Sequence, residues 1–578
     1  MGVFIRLVDY STKEKEIEFH NRTNRFVFDI RENSKIPASP LVYQASKKLL
    51  DIFEKGKLLG EIAVVRNGMK TGANEKFIRL WWEVCSVYSM YNANNATEAI
   101  NSGKKWFPYN KGGGARKWYG NNDYVVDWEA GGYRVIGCAK QEKRHVQDYP
   151  NEMKFIDSVT WSLINTNAPT FRIKRGSISD IAGMSFYQSG VNTKYLLGLC
   201  NSVISTELLK MIAPTMNYQA GDIARIPVCI DADKKVLIEN IVNECINISR
   251  KEWDSFEKSW DFSKSPLISE KTVEKSFLMW EQQCNQMRNQ IIENERMIDD
   301  VFLEIYGLDR KAFAIENNGD TELCVAVVER DIKALISYVV GCIMGRYSLK
   351  EDGLIYAGGV WDDSRYSEEF KPCEYGIMPI TEEQYFEEDL CTRVIDFIKV
   401  VYGEDTLAEN LKFIASALKP GTFEAPKKVI REYLFNGFFD NHYQIYQHRP
   451  IYWQLDSGKA GGFRAIVYMH RYSENTLPIV RTEYIQELRY KYEEEMQRLQ
   501  HRAVDATTTA EKNAIKKEIT AIDKKLVECT AYDDLLNHAT SNIQNYTFDL
   551  DNGVKTNYAK FLSVDGDKSK NILTVIKL

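Results

Sequence analysis

The sequence is organised around a stretch that opens as Arg66-Asn67-Gly68-Met69-Lys70-Thr71-Gly72-Ala73-Asn74 and closes as Asn110-Lys111-Gly112-Gly113-Gly114-Ala115-Arg116-Lys117-Trp118-Tyr119-Gly120. Its glycines allow positive φ angles and close approach of the backbone, and its cations and flat aromatic rings suit an anionic partner with stackable faces. These residue types favour a nucleic-acid partner. The alternative is a solvated glycine loop that carries ordinary surface lysines.

Two segments contain no Asp or Glu and combine positive charge with aromatic rings. The first segment, 101–122, holds five cations and five rings: Lys104, Lys105, Lys111, Arg116, Lys117, Trp106, Phe107, Tyr109, Trp118 and Tyr119. The second segment, 158–179, holds three cations around a phenylalanine: Arg172, Lys174, Arg175 and Phe171. Because the chain as a whole has a net charge of -6, any binding to phosphate must depend on such local patches.

The composition is that of a folded protein with several domains. The chain has 578 residues, of which 44% are hydrophobic, 27% charged and 12% aromatic. No two of the eleven cysteines have the spacing of a CxxC motif, which predicts reduced thiols and neither a zinc site nor a disulfide framework. The apolar run at the N-terminus is too short for a signal peptide or a membrane span, so we expect a cytoplasmic location and no membrane partner.

The hydrophobic periodicity predicts a multidomain α+β protein. Strands are expected at 3–9, 25–30, 58–65, 77–85 and 160–164, a single helix from Pro40 until Gly56, and another helix at 195–212. Two antiparallel helices are expected within 483–538, because Thr507-Thr508-Thr509 is a poor helix-forming sequence. The predicted segments are strands and a helix at 1–57, an α+β domain at 58–230, a helical linker at 231–310, a mixed α/β domain at 311–482, a helical hairpin at 483–540, and strands at 541–578 that pack on the preceding domain.

The sequence lacks the familiar catalytic motifs: there is no GxGxxG after a strand, no P-loop, no GxSxG elbow and no HExxH. His442, His448 and His470 could suggest acid/base or phosphate chemistry, but they have neither a paired nucleophile nor metal-ligand spacing. The alternative is that they are structural histidines in a polar, aromatic core.

Several phrases of the sequence match a known family. The segment from Gly68 to Phe77 resembles the G-x-x-T-G-x-N-x-x-F signature that opens the target-recognition region of adenine-specific DNA methyltransferases. Four later phrases narrow the resemblance to the phage-defence methyltransferases of BREX systems, the PglX type: 117–128 (KWYGNNDYVVDW), 217–223 (NYQAGDI), 345–349 (GRYSL) and 449–453 (RPIYW).

The resemblance implies transfer of a methyl group from S-adenosylmethionine to the N6 atom of adenine in a short DNA site. In this family the catalytic domain precedes these phrases and carries a glycine-rich donor loop and an Asn/Asp-Pro-Pro-Tyr/Phe motif, neither of which occurs in this sequence. We therefore expect a recognition and C-terminal portion that binds double-stranded DNA, holds no cofactor itself and does not methylate alone. Residues 1–57 would follow the missing catalytic domain, which could also be a partner, as could other defence-system proteins.

Within that interpretation, 58–230 is the DNA target-recognition domain. Backbone N–H groups of 68–74 would meet phosphate, Asn74 would read a base edge, and cations of the two acid-free segments would set affinity. The DNA-binding residues expected are Lys70, Thr71, Asn74, Lys104, Lys105, Lys111, Arg116, Lys117, Trp118, Tyr119, Arg172, Lys174 and Arg175. Composition alone also allows a protein or RNA partner, or a scaffold built around the helical hairpin.

Overall fold

The computed structural model describes residues 1–7, 10–21, 25–37, 42–43, 47–164, 168–188, 190–213, 216–310, 321–567 and 569–578, without the side chains of 33, 543 and 545. The chain divides into two compact units. The first unit contains Met1–Phe77, Met90–Trp253 and Gln286–Cys324, and the second contains Ile78–Ser89, Asp254–Asn285 and Val325–Leu578.

The strands are short. In chain order they are β1 (Gly2–Ile5), β2 (Arg25–Phe28), β3 (Lys57–Leu58), β4 (Ala63–Arg66), β5 (Ile78–Leu80), β6 (Trp106–Asn110), β7 (Tyr124–Asp127), β8 (Ser158–Thr160), β9 (Arg172–Lys174), β10 (Ile178–Ser179), β11 (Ser185–Gln188), β12 (Pro227–Val228), β13 (Ile377–Ile380), β14 (Tyr452–Asp456) and β15 (Arg464–Tyr468).

Most of the ordered structure is helical. In chain order the helices are α1 (Thr12–His20), α2 (Lys47–Lys55), α3 (Leu59–Ile62), α4 (Asn74–Phe77), α5 (Ala96–Asn101), α6 (Glu129–Gly132), α7 (Thr193–Asn201), α8 (Val203–Ile212), α9 (Ala220–Ile223), α10 (Lys235–Trp253), α11 (Val273–Tyr306), α12 (Val328–Met344), α13 (Leu390–Tyr402), α14 (Leu407–Leu418), α15 (Pro426–Asn436), α16 (Phe438–Ile445), α17 (Thr476–Ile479), α18 (Gln486–Asp505), α19 (Thr509–Ser541) and α20 (Gly553–Phe561).

The first unit is built on small sheets. Strands β4, β11, β8 and β9 form one antiparallel sheet in that order. Strand β6 pairs antiparallel with β7 and parallel with β10, so that Tyr109 lies opposite both Tyr124 and Ile178. All five residues of β6 are buried, and Phe107 contributes to an aromatic cluster in which its ring centroid lies 5.4 Å from that of Phe155. A fully buried strand leaves only the loops at its two ends available to solvent.

The second unit combines a helical core with one sheet. Helix α12 is buried along most of its length, and β13, β15 and β14 form an antiparallel sheet in that order. Helices α18 and α19 pack antiparallel, since Arg489 near the start of α18 lies 3.2 Å from Asp533 late in α19, and Arg502 at the end of α18 lies 3.8 Å from Glu518. The predicted α+β class is confirmed, and α18 and α19 lie where two antiparallel helices were expected.

The helix predicted over 195–212 is instead two helices, α7 and α8, whose axes differ by 72°. Ser202 separates them, because its ψ of 158° is extended rather than helical and its hydroxyl donates a hydrogen bond to the Leu199 carbonyl at 2.7 Å. A serine that bonds the local backbone competes with the helix, and the apolar spacing continues unchanged across the break.

The strand predicted over 58–65 is also interrupted. Helix α3 separates β3 from β4, since the Glu61 carboxylate accepts the Leu58 N–H at 3.2 Å and Gly60 donates to the Ala224 carbonyl at 2.9 Å. Of the strand predicted over 77–85 only β5 forms. A 3-10 turn follows it, with the Glu83 carboxylate accepting the Leu80 N–H at 2.7 Å.

Other boundaries differ at the edges of described segments. Helix α2 begins at Lys47, later than the predicted start at Pro40, and ends at Lys55, next to the predicted end at Gly56. Residues 38–41 and 44–46 lie outside the described residues. Strand β8 ends at Thr160, where the predicted strand began. In the described part of 541–578, where strands were expected, helix α20 and two single-residue bridges occur, which join Leu455 to Leu573 and Ser563 to Asn571.

Candidate nucleic-acid interface

The two glycine-containing segments of the first unit meet beside β10. Met69 donates its N–H to the Ser179 carbonyl at 2.7 Å, and Asp180 donates to the Asn110 carbonyl at 2.9 Å. At Gly68 a Cβ atom would lie 2.1 Å from the Ser179 carbonyl oxygen, so only glycine fits there. Strand β10 and the residues after it thus bring the segment 66–74 to the end of β6.

The start of the second segment is fixed by a buried asparagine. The Asn110 amide donates to the Gly183 carbonyl at 2.9 Å and to the Thr160 hydroxyl at 2.5 Å, and its side chain is buried. A Cβ atom at Gly183 would lie 2.3 Å from the Asn110 carbonyl oxygen. Buried, satisfied polar groups hold the chain in one position at the point where it leaves β6.

The T-G-x-N turn presents an asparagine to solvent. The Thr71 hydroxyl is buried and lies 2.7 Å from the Asn74 Oδ1 atom, which accepts its proton. Arg144 holds the same turn by donating to the Thr71 carbonyl at 2.7 Å. Gly72 has a φ of 70°, and Asn74, the first residue of α4, is exposed. Thr71 therefore orients Asn74, whose side chain faces solvent.

Residues 111–122 form what we call the glycine loop, which connects β6 to β7. Its tip, 113–115, is exposed. Two hydrogen bonds hold it from either side: Asn121 donates to the Gly114 carbonyl at 2.9 Å, and the Ser162 hydroxyl donates to the Gly113 carbonyl at 2.8 Å. Gly113 has a φ of 121° in the region that favours glycine. The loop thus has an accessible backbone at its tip and an anchored base.

Arg116 braces the base of the glycine loop. Its guanidinium forms an ion pair with the buried Glu252 carboxylate, lies 4.9 Å from the centre of the Trp253 ring, and donates to the Tyr119 carbonyl at 2.8 Å. Its side chain is only 11% exposed. In this arrangement Arg116 ties the loop to helix α10.

Lys117 and Trp118 share one carboxylate of helix α11. Lys117 Nζ lies 2.7 Å from Glu295 Oε2, and Trp118 Nε1 donates to Glu295 Oε1 at 2.8 Å. Burial alone would lower the pKa of Lys117, but the negative charges of Glu295 and Glu322 outweigh it and hold that pKa above its ordinary value. Trp118 is buried with a φ of 66°, a conformation that only a well-held side chain maintains.

Arg172 and Lys174 on β9 are buried beneath the loop. Arg172 donates to the Gly112 carbonyl at 2.7 Å, and Lys174 donates to the carbonyls of Gly120 and Asn121, both at 2.8 Å. Burial lowers the pKa of Arg172 to about 10 and lowers the pKa of Lys174 well below its ordinary value. Both side chains satisfy backbone carbonyls at the two ends of the glycine loop.

The other predicted cations lie nearer to solvent. Lys70 and Lys111 are half-buried, and Lys111 Nζ lies 5.6 Å from the centre of the Tyr124 ring. Arg175 is 57% exposed and lies 3.4 Å from the equally exposed Asp157, an arrangement that is worth little in water. Tyr119 is half-buried, with the Arg250 guanidinium 5.7 Å from the centre of its ring.

Lys104 and Lys105 lie at the start of β6, whereas the glycine loop lies at its end. They precede the strand, whereas Lys111 follows it, and a strand rises about 3.3 Å per residue, so roughly 20 Å of strand separates Lys105 from Lys111. Lys105 Nζ lies 5.3 Å from the centre of the Trp106 ring. The structure thus gathers Lys111, Arg116, Lys117, Trp118, Tyr119, Arg172 and Lys174 around the glycine loop and places Lys104 and Lys105 at the opposite end of β6.

Sequence reasoning did not identify the residues that position this site: Arg144, Glu252 and Glu295. The two glutamates lie 136 and 178 residues from their partners, on helices assigned to a linker. The sequence did contain one indication of such partners. A segment with five cations and no acid needs carboxylates from elsewhere in the fold if any of those cations is buried.

The histidine cluster of the second unit has structural partners. His442 is buried and its Nε2 accepts the N–H groups of Ile451 and Tyr452 at 3.1 Å each, and burial lowers its pKa well below the ordinary value. Burial also lowers the pKa of His470 to about 3. His448 is exposed. These contacts support the structural interpretation, because both buried rings are neutral near pH 7.

The described residues offer neither a metal site nor a single membrane-spanning helix. They contain no group of three His, Cys, Asp or Glu side chains placed to hold a metal ion. Among the described helices, none alone has the length and apolar character to cross a bilayer, and only the bent pair α7 and α8, taken together, satisfies that test.

Comparison with known proteins gives two relatives that match nearly the whole chain. The adenine-specific methyltransferase PglX of Lacticaseibacillus casei (strain Zhang) is 36% identical over 583 residues, which cover 97% of this chain and 48% of that protein. The adenine-specific methyltransferase BrxX of Escherichia coli O9:H4 (strain HS) is 33% identical over 594 residues, which cover 97% and 47%. The chain therefore spans about half the length of these curated relatives. No protein-family model matches it.

Proposed function

Because the chain belongs to the PglX-type family of adenine-specific methyltransferases and spans about half of its curated members, we propose that it supplies sequence-specific binding of double-stranded DNA for such an enzyme. In this proposal it recognises the target site and is not catalytic alone. The wider setting would be a phage-defence system, with a catalytic methyltransferase domain or other defence proteins as partners and S-adenosylmethionine as the methyl donor of the full-length enzyme.

The observation that carries the proposal is an exposed glycine-loop tip on a base that ion pairs and hydrogen bonds hold in place. Residues 113–115 are exposed, so their backbone N–H groups are candidates to donate to phosphate. The ion pairs of Arg116 and Lys117 hold the loop in place before any ligand arrives. A loop that is already ordered loses less conformational entropy on binding, which favours affinity.

The predicted residues divide into two roles under this proposal. Lys70, Lys111 and Arg175 are candidates for direct phosphate contacts, and Asn74 is the candidate for a base contact, since an asparagine amide can both donate to and accept from adenine. Arg116, Lys117, Trp118, Arg172 and Lys174 position the loop through the buried contacts described above. Lys104 and Lys105 would meet a different part of the duplex.

Fluorescence anisotropy with a labelled duplex of random sequence tests the binding. We expect affinity to fall steeply between 50 and 200 mM salt, because each neutralised phosphate contributes about -0.9 to the slope of log K against log salt. Lys111→Ala and Arg175→Ala should each weaken binding to all duplexes and reduce that slope by about one.

Lys210→Ala is the matched control for these variants, because Lys210 is exposed in the same unit and pairs with Glu207 on its own helix. It should bind like the parent chain. Equal affinity and equal salt slope for all four proteins would contradict the proposed contacts, and equal binding to duplex RNA of the same length would contradict the assignment to DNA.

A second candidate function is adenine methylation by this chain when the catalytic portion is present or supplied in trans. The names of the relatives favour it, because both are adenine-specific methyltransferases. The same titration repeated with S-adenosylmethionine separates the two functions, since a chain that only recognises DNA should bind equally well with and without the methyl donor.

A further inference from the structure

Helix α19 in the second unit carries a row of lysines on its outward side, which we call the lysine face: Lys516, Lys517 and Lys524 together with Asn513. Residues 513, 517, 520 and 524 follow the i, i+4, i+7, i+11 spacing of one helical stripe, and Lys516 lies beside it. The opposite side of α19 packs in the hairpin through buried residues that include Ile515, Ile522 and Cys529. The lysine face is therefore the solvent side of the hairpin.

The lysine face forms one wall of an open trough of about 790 Å³. The other wall includes Glu382 and Ala460, and the Glu382 carboxylate is already paired with Lys525. This pairing offsets the one acidic group of that wall. The trough thus offers a concave surface whose remaining charge is positive.

The charges of the lysine face have no counter-ion in the described part of the chain. Lys516, Lys517 and Lys524 are exposed and take part in no ion pair there, whereas cations on α18 are paired locally, such as Lys491 with Glu487 and Arg498 with Glu495. Clustered like charges repel one another, and binding of a polyanion would relieve that repulsion. Glu518 of α19 faces Arg502, and the Glu528 carboxylate accepts the N–H groups of Ala460 and Gly462. Helical spacing places the exposed Asp523 on the side of Lys516, but the two form no ion pair in the described part of the chain.

The dimensions of the lysine face fit a nucleic-acid backbone. A helix rises 1.5 Å per residue, so Lys517 and Lys524 are roughly 10 Å apart along the axis. One DNA strand places a phosphate about every 3.4 Å of helix axis, so the length of the face is of the same scale as a few neighbouring phosphates of a duplex. The exposed Asn513 amide at one end could donate to a phosphate oxygen.

We propose that the lysine face is a second phosphate-contacting surface, which engages the backbone of double-stranded DNA without reading its sequence. This inference rests on the proposed function, because it assumes that the chain binds DNA. It adds a contact in the second unit that no motif of the recognition domain predicts, and it concerns affinity rather than sequence choice.

The test compares the full chain with a triple variant, Lys516→Gln, Lys517→Gln and Lys524→Gln, in salt titrations with a random duplex. Loss of three phosphate contacts should reduce the slope of log K against log salt by about 2.7, with the sequence preference unchanged. A triple arginine variant at the same positions should keep the parent slope, because it retains the charge.

The matched control is Lys371→Gln, Lys399→Gln and Lys428→Gln, which removes three exposed charges that pair with Glu368, Glu404 and Glu424 elsewhere in the second unit. This control should keep the parent slope. A parent chain that binds no DNA overturns the proposed function and this inference together. A parent that binds while the glutamine variant of the lysine face keeps its slope overturns this inference alone.

An acidic protein segment is the competing occupant of the lysine face. Poly-glutamate that binds the parent as tightly as the duplex, and loses that binding in the glutamine variant, would assign the face to such a segment and overturn the nucleic-acid proposal. Binding of duplex alone supports the proposal.

Discussion

Individual cations of the first unit have two different roles although their side chains carry the same charge. Arg116 faces the buried Glu252 carboxylate and Lys117 the half-buried Glu295 carboxylate. Lys174 faces backbone carbonyls, whereas Lys111 and Arg175 lie nearer to solvent. A buried cation with a partner stabilises the loop, and an exposed one remains able to meet a phosphate. Mutation of a buried, paired cation should therefore lower the stability of the loop, whereas mutation of an exposed cation should weaken phosphate binding.

The exposed asparagine of the T-G-x-N turn gives the first prediction. Asn74→Ala should relax sequence choice by about 1–3 kcal/mol at one base pair, because it removes a side chain able to form a bidentate contact with adenine, and should leave affinity for random duplex nearly unchanged. Selection from a randomised duplex pool, followed by sequencing, measures the preference.

Asn101→Ala, at an exposed position at the end of α5, is the control for Asn74→Ala and should select the same sequences as the parent. If Asn74→Ala and the parent enrich identical sites, Asn74 does not read a base.

The carboxylate shared by Lys117 and Trp118 gives the second prediction. Glu295→Gln should lower the free energy of unfolding by about 1–3 kcal/mol, because the Lys117 ammonium loses its counter-charge in a mostly buried setting. Urea unfolding measures the change. Glu293→Gln on the same helix removes an exposed carboxylate paired with Arg296 and should cost less than 1 kcal/mol. Equal destabilisation by both variants would contradict the bracing role of Glu295.

The sequence predicted which residue types the glycine loop contains, but not the contacts that those residues make inside the fold. Residue types alone showed an acid-free, aromatic loop, and the loop does project from the end of a buried strand. They could not show that Glu252 and Glu295 would neutralise Arg116 and Lys117, because such partners are chosen by tertiary packing over more than a hundred residues. Their contribution to DNA binding stays a prediction.

At the scale of elements, helix α8 depends on a group from a distant helix. Its first N–H, that of Val203, donates to Asp299 Oδ1 on α11 at 2.8 Å. An aspartate at a helix N-terminus normally gains from its charge, but here burial dominates and raises the pKa of Asp299 to about 6. The hydrogen bond from Val203 stabilises the start of α8, while burial disfavours the negative charge of the Asp299 carboxylate.

This shift gives the third prediction. Because the pKa of Asp299 is higher in the folded chain than the ordinary 3.8, the fold binds a proton more tightly than the unfolded state, and its contribution to stability is present at low pH and lost as pH rises from about 4 to 6. Two pKa units correspond to roughly 3 kcal/mol. Asp299→Asn keeps the acceptor oxygen, so its stability relative to the parent should rise over that pH range and stay constant above pH 7.

Urea unfolding at several pH values between 4 and 8 measures the difference between Asp299→Asn and the parent. Asp300→Asn, at the exposed neighbouring position, should leave the parent's pH dependence in place. A difference between Asp299→Asn and the parent that does not change with pH would show that Asp299 has an ordinary pKa.

Long periodic elements were predictable and interrupted ones were not. The hairpin of α18 and α19 formed within two or three residues of its predicted limits, since its apolar stripe and its threonine-rich turn agree. The break at Ser202 and the insertion of α3 could not be seen, because the apolar spacing on either side is continuous and the deciding hydrogen bonds are local to the folded chain.

At the scale of the whole molecule, a net charge of -6 coexists with concentrated positive surfaces. In the glycine loop of the first unit, Glu252 and Glu295 neutralise two cations and Lys111 remains, whereas the lysine face of the second unit carries three exposed lysines. Such a distribution should disfavour unspecific binding to nucleic acid over most of the surface and confine contacts to these patches. Under the proposed function, the affinity of the whole chain for DNA should therefore depend strongly on salt.

The last prediction concerns the methyl donor. The sequence contains neither a glycine-rich donor loop of the family nor an Asn/Asp-Pro-Pro-Tyr/Phe motif. S-adenosylmethionine should therefore change neither the thermal midpoint of this chain nor its affinity for duplex DNA. A ligand present at a hundred-fold excess over its Kd would instead stabilise the fold by about 2.7 kcal/mol.

The full-length Lacticaseibacillus casei relative is the positive control, assayed with a tritiated methyl donor. Methyl incorporation by this chain alone would contradict its proposed role as a recognition portion. Incorporation that appears only when the other half of that relative is added would support catalysis in trans.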